Sequence, residues 1–70
     1  MKQISLNNGH SYMTAQEAMS EITRRNMWDA VVSMMDDDTR EAVHADAAPC
    51  TELEFLVRYL ELASDDLVIG

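Results

Sequence analysis

The chain begins with an alternation of polar and apolar residues that predicts a β-strand. Residues 3–6 read polar, apolar, polar, apolar, and a period of two is the strand signal. The Asn-Gly pair at positions 8 and 9 favours a tight turn, because both residue types tolerate positive φ. We therefore predict an N-terminal β-hairpin that returns over residues 10–13. A hairpin alone is not stable, so it must pack on other elements.

Four helices are expected downstream, and the first has the clearest signals. Thr14 and Glu17 have the spacing of a capping box, in which each side chain bonds the backbone N–H of the other residue. Arg24 and Arg25 suit the end of this helix, where the dipole favours positive charge. The stripe expected to be buried consists of Ala15, Ala18, Met19 and Ile22.

The second and third helices should meet at the acidic run 36–38. Asn26 is the expected cap of the second helix. Its apolar face, at i, i+3, i+4 and i+7, consists of Trp28, Val31, Val32 and Met35. Three carboxylates oppose the dipole at a helix end and favour a helix start, so the second helix should stop there. Asp38 and Glu41 repeat the capping spacing and predict a third helix over residues 39–47.

The fourth helix is expected from a second capping box to about Ala63. Thr51 and Glu54 form the box, and Cys50 with Phe55 has the spacing of a hydrophobic staple. Pro49, just before this box, should end the third helix, because the residue before a proline avoids the helical conformation. The residues expected to be buried are Leu53, Leu56, Val57 and Leu60, with Phe55 and Tyr59 as further candidates.

The apolar segment 67–69 could add a third strand to the hairpin or form a tail. The element order predicts a single α+β domain over residues 1–70: a small hairpin, with or without that strand, packed against three to four short helices. No stretch approaches the roughly 20 apolar residues that span a bilayer, and the first residues lack the apolar core of a signal peptide. We therefore expect a soluble, cytoplasmic protein without a membrane partner.

The formal net charge of −8 lies entirely in the second half of the chain. Residues 1–35 carry three basic and three acidic side chains, whereas residues 36–70 carry two arginines and ten carboxylates. Like charges repel in a compact state, so this concentration favours an external, positively charged partner rather than nucleic acid itself. Surfaces that bind DNA have that character. The expected partner-binding residues are Asp36, Asp37, Asp38, Glu41, Asp46, Glu52, Glu54, Asp65 and Asp66.

Two other interpretations of the acidic residues stay open. They can be helix caps and a solvated surface, with partner binding left to an apolar groove or strand edge at Met34, Tyr59 or residues 67–69. They can also hold a hard cation, but the chain has no Asp-x-Asp-x-Asp-Gly loop. Self-repulsion favours a monomer, although a dimer through the neutral half would keep the charges apart.

Catalysis has little support in the sequence. His10, His44 and Cys50 lack the spacing of a zinc site. Cys50 and His44 could form a nucleophile pair in principle, but no glycine-rich loop or further partner accompanies them. A lone cysteine cannot form an internal disulfide, which fits a reducing compartment. We predict a non-enzymatic protein without a metal or cofactor.

The block MMDDDTREAVHADAAPCTELEFLVRYLELASDDLVIG, preceded by NNGHSYMTAQEA, resembles small acidic proteins of phages and mobile elements with anti-restriction and anti-CRISPR functions. The resemblance is nearest to anti-CRISPR proteins against type I systems, the type I-C kind in particular. It implies an inhibitor that occupies a surface of the surveillance complex, such as the large subunit that recognises the DNA target. An anti-restriction DNA mimic is the alternative within the same group.

Overall fold

The computed structural model describes residues 2–46 and 51–70, and in these residues it contains two short strands and four helices. The strands are β1, Ile4–Ser5, and β2, Leu67–Val68. The helices are α1, Ala15–Arg25; α2, Trp28–Ser33; α3, Asp37–Asp46; and α4, Glu52–Leu62. The order is β1-α1-α2-α3-α4-β2, which confirms the expected α+β class.

The two strands come from opposite ends of the chain and pair in parallel. Ile4 lies opposite Leu67, and the Leu67 N–H donates to the Gln3 carbonyl at 3.0 Å. The Ile69 N–H donates to the Ser5 carbonyl at 2.9 Å. A parallel pair needs a long crossover, which the four helices supply. The final apolar segment therefore forms a strand rather than a free tail.

The expected hairpin is reduced to a single antiparallel bridge between Ile4 and Met13. Each of these residues donates its N–H to the carbonyl of the other, at 3.0 and 2.9 Å. The turn lies where it was predicted, because Asn8 and Gly9 have positive φ values of 58° and 87°. The antiparallel return stops at Met13, and the chain then enters α1.

Side-chain hydrogen bonds explain why residues 10–12 form a loop instead of a strand. The Ser5 hydroxyl accepts the Gly9 N–H at 2.8 Å, and the Asn7 side chain accepts the Ser11 N–H at 3.0 Å. Bonds of this kind offer the backbone an alternative to a β-ladder. The strand predicted over residues 10–13 is corrected accordingly to a loop that ends in the bridge.

The start and end of α1 agree with the prediction. The Thr14 hydroxyl accepts the Glu17 N–H at 3.3 Å, and the Glu17 carboxylate accepts the Thr14 N–H at 3.2 Å. Asn26, expected to cap α2, instead ends α1 in the left-handed conformation with φ 55°. Asparagine adopts this conformation readily. As a result α2 begins at Trp28 without a side-chain cap.

The cap of α3 is Asp36 rather than the predicted Asp38. The Thr39 N–H donates to the Asp36 carboxylate at 3.0 Å, so α3 begins at Asp37, two residues earlier than expected. At α4, the Thr51 hydroxyl accepts the Glu54 N–H at 3.1 Å, as predicted. The expected helix end at residue 47, Pro49 and the Cys50 staple lie outside the described residues.

One apolar cluster unites all the elements. The helix α1 packs against α4 and β1, and α3 packs on α4. Trp28 is half-buried and meets Phe55 edge to face, with 6.1 Å between the ring centroids. The buried apolar residues are Ile4, Leu6, Ala15, Ala18, Ile22, Val31, Met35, Val43, Phe55, Leu56, Tyr59, Leu60, Leu67 and Ile69.

Tyr59 belongs to this cluster and also joins two helices. Its side chain is only 4% exposed, so it cannot be the exposed anchor that one interpretation required. Its hydroxyl accepts the N–H of Asp36 at 2.8 Å. This N–H belongs to the residue that caps α3, so Tyr59 ties the start of α3 to the middle of α4.

We expect Tyr59→Phe to lower the free energy of unfolding by about 1–2 kcal/mol, because the part-buried Asp36 N–H loses its acceptor. Urea unfolding followed by circular dichroism measures this change. Tyr12→Phe is the control, since Tyr12 is exposed and should change stability by less than about 0.5 kcal/mol. Equal stability of Tyr59→Phe and the parent would show that the hydrogen bond does not secure α3.

Candidate partner-binding surface

The two arginines of the second half are both engaged by carboxylates. Arg40 pairs with Asp37 at 2.7 Å, one turn away on α3. On α4, the Arg58 Nε donates to the Asp46 carboxylate at 2.9 Å, and Glu61 lies 3.9 Å from the same guanidinium. The hydrogen bond that Arg58 donates to Asp46, followed by the negative charge of Asp46, raises the pKa of Arg58. Three of the ten carboxylates are thus paired with the two arginines.

Seven carboxylates of the second half have no ion-pair partner among residues 2–46 and 51–70. All seven belong to exposed residues, so their charge faces solvent. A surface of this kind is unusual, because soluble proteins usually intersperse both signs of charge. The seven are Asp36, Asp38, Glu41, Glu52, Glu54, Asp65 and Asp66.

The solvent side of α3 carries two of these seven carboxylates, together with Asp37, which is paired with Arg40. Val43 faces the core and is fully buried, whereas Asp37, Asp38 and Glu41 are exposed. Helical geometry places these three on the side away from Val43. Residues three or four apart on a helix are about 5–6 Å apart, so Asp38 and Glu41 form a short acidic row.

Both ends of α3 are fixed to one turn of α4. At the start, the Asp36 N–H bonds the Tyr59 hydroxyl, and at the end Asp46 is held by Arg58. His44 adds an aromatic contact with Phe55, at 5.0 Å between the ring centroids. The acidic row on α3 is therefore presented by a helix whose orientation is set by three separate contacts.

A second group of acidic residues borders a groove between the start of α3 and residues 63–68. The groove has a volume of about 480 Å³. Asp36, Asp65 and Asp66 all border it. Met34, which is 54% exposed, also borders it. The structure thus brings Asp36 to residues almost thirty positions away, and it places an exposed apolar side chain beside them.

Two of the groove carboxylates also accept hydrogen bonds from other parts of the chain. Asp36 accepts the N–H and the hydroxyl of Thr39, both at 3.0 Å, and these bonds lower the pKa of Asp36 below its ordinary value of 3.8. Asp66 accepts the N–H of Gln3 at 2.8 Å. Asp65 makes no hydrogen bond within the described residues, so its carboxylate is available to a partner.

The nine residues predicted from charge therefore occupy different environments. The groove has Asp36, Asp65 and Asp66, and the solvent side of α3 has Asp37, Asp38 and Glu41. Glu52 and Glu54 lie in the first turn of α4. Asp46 is largely neutralised by Arg58. Sequence reasoning missed both arginine pairs: the i, i+3 spacing of Asp37 and Arg40 could have revealed one, whereas no local signal links Asp46 to Arg58.

Metal and membrane sites find no support in the part of the chain that the structure describes. Across residues 2–46 and 51–70, His, Cys, Asp and Glu form no group of three or more that could hold a metal ion. Within the same residues, no helix has the length and apolar character needed to cross a membrane.

Comparison with protein families places the chain among the anti-CRISPR proteins. A family model matches residues 8–62, which is more than half of the chain. The family is described as Anti-CRISPR protein AcrIC5, and the chain belongs to it. This confirms the resemblance seen in the sequence. The matched region contains α1 to α4 and ends before Asp65 and Asp66. No curated protein and no solved structure shows significant similarity to this chain.

Membership of this family establishes the general role. The chain is an inhibitor of CRISPR function, and its partner is a Cas complex. Anti-CRISPR proteins of this kind are in general non-enzymatic inhibitors. The acidic residues therefore belong to a protein that acts by binding another protein.

The lowered pKa of Asp36 predicts a pH dependence of stability. The group stabilises the fold fully above its unfolded pKa of about 3.8, and this stabilisation is lost as pH falls through the lower folded value. Asp36→Asn keeps a residue that can cap the helix but removes the titration. We expect the parent to be more stable than Asp36→Asn at pH 6, and the difference to shrink at pH 3.

Urea unfolding at the two pH values measures this difference. Asp38→Asn is the matched control, because Asp38 also lies at the start of α3 but does not cap it. Its stability relative to the parent should change less between pH 6 and pH 3. A constant difference between the parent and Asp36→Asn would contradict the assignment of Asp36 as a charged cap.

Proposed function

We propose that the chain inhibits a type I-C surveillance complex by placing its acidic surface on the site where the complex binds DNA. The observation that carries this proposal is the set of seven exposed carboxylates without ion-pair partners in the described residues, all in the second half of the chain. A surface that binds DNA must be rich in lysine and arginine. Such a surface would attract these carboxylates strongly at short range and steer the approach of the inhibitor.

The acidic row on α3 has suitable dimensions for this role. A helix of ten residues is about 15 Å long, and its carboxylates at i and i+3 are about 5–6 Å apart. DNA presents a phosphate about every 3.4 Å along each strand. Carboxylates on α3 and at the start of α4 can thus occupy some of the positions that phosphates would take, without reproducing the shape of a duplex.

All nine residues expected from charge would take part, but in different roles. Asp38, Glu41, Glu52, Glu54 and Asp65 would contact the partner directly, since their carboxylates have neither an ion-pair partner nor a hydrogen bond in the described residues. Asp36, Asp37, Asp46 and Asp66 would add charge while holding the structure. The partner would be a basic DNA-binding subunit, such as the large subunit, in the cytoplasm of the bacterial host. Nucleic acid itself would be repelled.

Charge reversal of the α3 row tests this proposal. Asp38→Lys combined with Glu41→Lys should weaken binding to the purified complex at least about tenfold, because like charges placed opposite one another are strongly unfavourable. Neither residue caps a helix or forms an ion pair among the described residues, so the fold should persist. Binding is measured by biolayer interferometry at low and high salt, and the parent should lose affinity as salt rises.

The matched control carries the same change of charge on the neutral half. Ser20→Lys, Thr23→Lys and Asp29→Lys together give that change at exposed positions, and this variant should bind like the parent. Equal weakening by both variants would indicate dependence on net charge alone. Undiminished binding by the folded Asp38→Lys, Glu41→Lys variant would refute the proposal.

A second candidate mode is an apolar interaction that does not compete with DNA. It is favoured by the exposure of Met34 and by the outer edge of β2, which pairs only with β1 in the described sheet. In this mode, target DNA would not displace the inhibitor and salt would change the affinity little. Competition with duplex DNA in the same binding experiment separates the two modes. An anti-restriction DNA mimic would use the same acidic surface, but family membership favours a Cas complex.

A further inference from the structure

We propose that the groove beside Met34 receives the side chain of one arginine of the Cas complex, an inference that rests on the proposed function and specifies one of its contacts. The groove is formed by the start of α3 and residues 63–68, and its volume is about 480 Å³. It combines an apolar rim, a free carboxylate and a strand edge. Arginine is the residue whose side chain matches all three.

The apolar rim is provided by Met34. Its 54% exposure exceeds the 44% of Tyr12 and the 43% of Leu62, the other exposed large hydrophobic residues in the described part of the chain. Met34 is the C-cap of α2, and its N–H donates to the Val31 carbonyl at 3.1 Å, so its backbone position is fixed. A thioether side chain adapts its shape to a partner, and the methylene stem of an arginine buries well along such a surface.

The acceptors are provided by Asp65 and Val68, which border the same groove as Met34. Asp65 makes no hydrogen bond within the described residues, and a guanidinium can bind a carboxylate through two parallel hydrogen bonds. The N–H groups of Leu67 and Ile69 point to β1, so the intervening backbone groups of Val68 point to the open edge of the sheet. The Val68 carbonyl can therefore accept a further N–H.

The remaining carboxylates fix the groove and add to its charge. Asp36 is held by Thr39, and Asp66 is held by the Gln3 N–H. Because these side chains are already ordered, a partner would lose little free energy in organising them. Their charges complement a cation. A second copy of this acidic chain would be repelled at the groove, and a lysine ammonium would be less able to contact Asp65 and Val68 together than the planar fork of arginine.

Two single variants and their combination test the proposal on the purified Cas complex. Met34→Ser removes the apolar rim and Asp65→Asn removes the charge of the free carboxylate, and each should weaken binding about three- to tenfold. The combined variant should lose less than the product of the two single losses, because one arginine contacts both residues and neighbouring contacts are not additive.

The controls repeat the same chemical changes outside the groove. Leu62→Ser removes an exposed apolar side chain that does not border the groove, and Asp29→Asn removes one charge from the neutral half; both should bind like the parent. Circular dichroism and the urea midpoint verify that each variant is folded. Weakening by Leu62→Ser equal to that by Met34→Ser would overturn the assignment of the groove.

The outcomes separate this inference from the proposed function. If Met34→Ser and Asp65→Asn bind like the parent while the Asp38→Lys, Glu41→Lys variant binds weakly, the groove is empty in the complex and the acidic mimic stands. If only Met34→Ser weakens binding, an apolar residue occupies the groove and the arginine is refuted. If the charge reversal on α3 has no effect, the proposed function fails whatever the groove variants do.

Discussion

The apolar cluster must hold together a half-chain whose carboxylates repel one another. It does so with residues from both halves: Ile4 and Ile22 from the neutral half are fully buried together with Leu56 and Leu60 from α4. Burial of one such side chain stabilises a fold by about 1.5–3 kcal/mol. The parallel pairing of β1 with β2 joins the two ends of the chain next to this cluster. The elements of the neutral half, such as β1 and α1, thus add buried apolar side chains to the core of the acidic helices without adding net charge.

The same packing determines how the acidic residues are displayed. The helix α3 has one fully buried residue, Val43, and such a small apolar contact would fix its orientation poorly. Tyr59 and Arg58 supplement it, one at each end of α3. On the α3 side, these two bonds use only the backbone N–H of Asp36 and the carboxylate of Asp46. Most of the remaining carboxylates are left for solvent or for a partner.

Local signals predicted the fold well, and contacts between distant residues could not be predicted. Thr14 and Thr51 cap their helices as expected, because a capping motif depends on neighbours within one turn. Asn26 was expected to cap α2 but ends α1, and Asp36 rather than the expected Asp38 caps α3. Each of these residues lies where two elements meet, and more than one residue there could serve as the cap. The parallel register joins residues about sixty positions apart, and no local pattern encodes such a pairing. Alternation alone suggested the antiparallel hairpin instead.

The candidate site shows the same division. Composition was sufficient to locate the negative charge, since the imbalance between the halves is visible by counting. Counting could not show that Arg58 neutralises Asp46, nor that Asp36 and Asp65 border one groove. These facts depend on the tertiary arrangement of α3, α4 and the segment before β2.

An acidic surface alone would attract many basic proteins, because charge provides steering more than selectivity. Selective inhibition of one Cas complex needs contacts that depend on shape, and such contacts usually contain a partly buried anchor surrounded by polar groups. The groove beside Met34 has this composition, whereas the row on α3 is purely charged. The two surfaces are therefore suited to successive tasks: the row on α3 would accelerate encounter, and the groove would fix the register of the complex once it has formed.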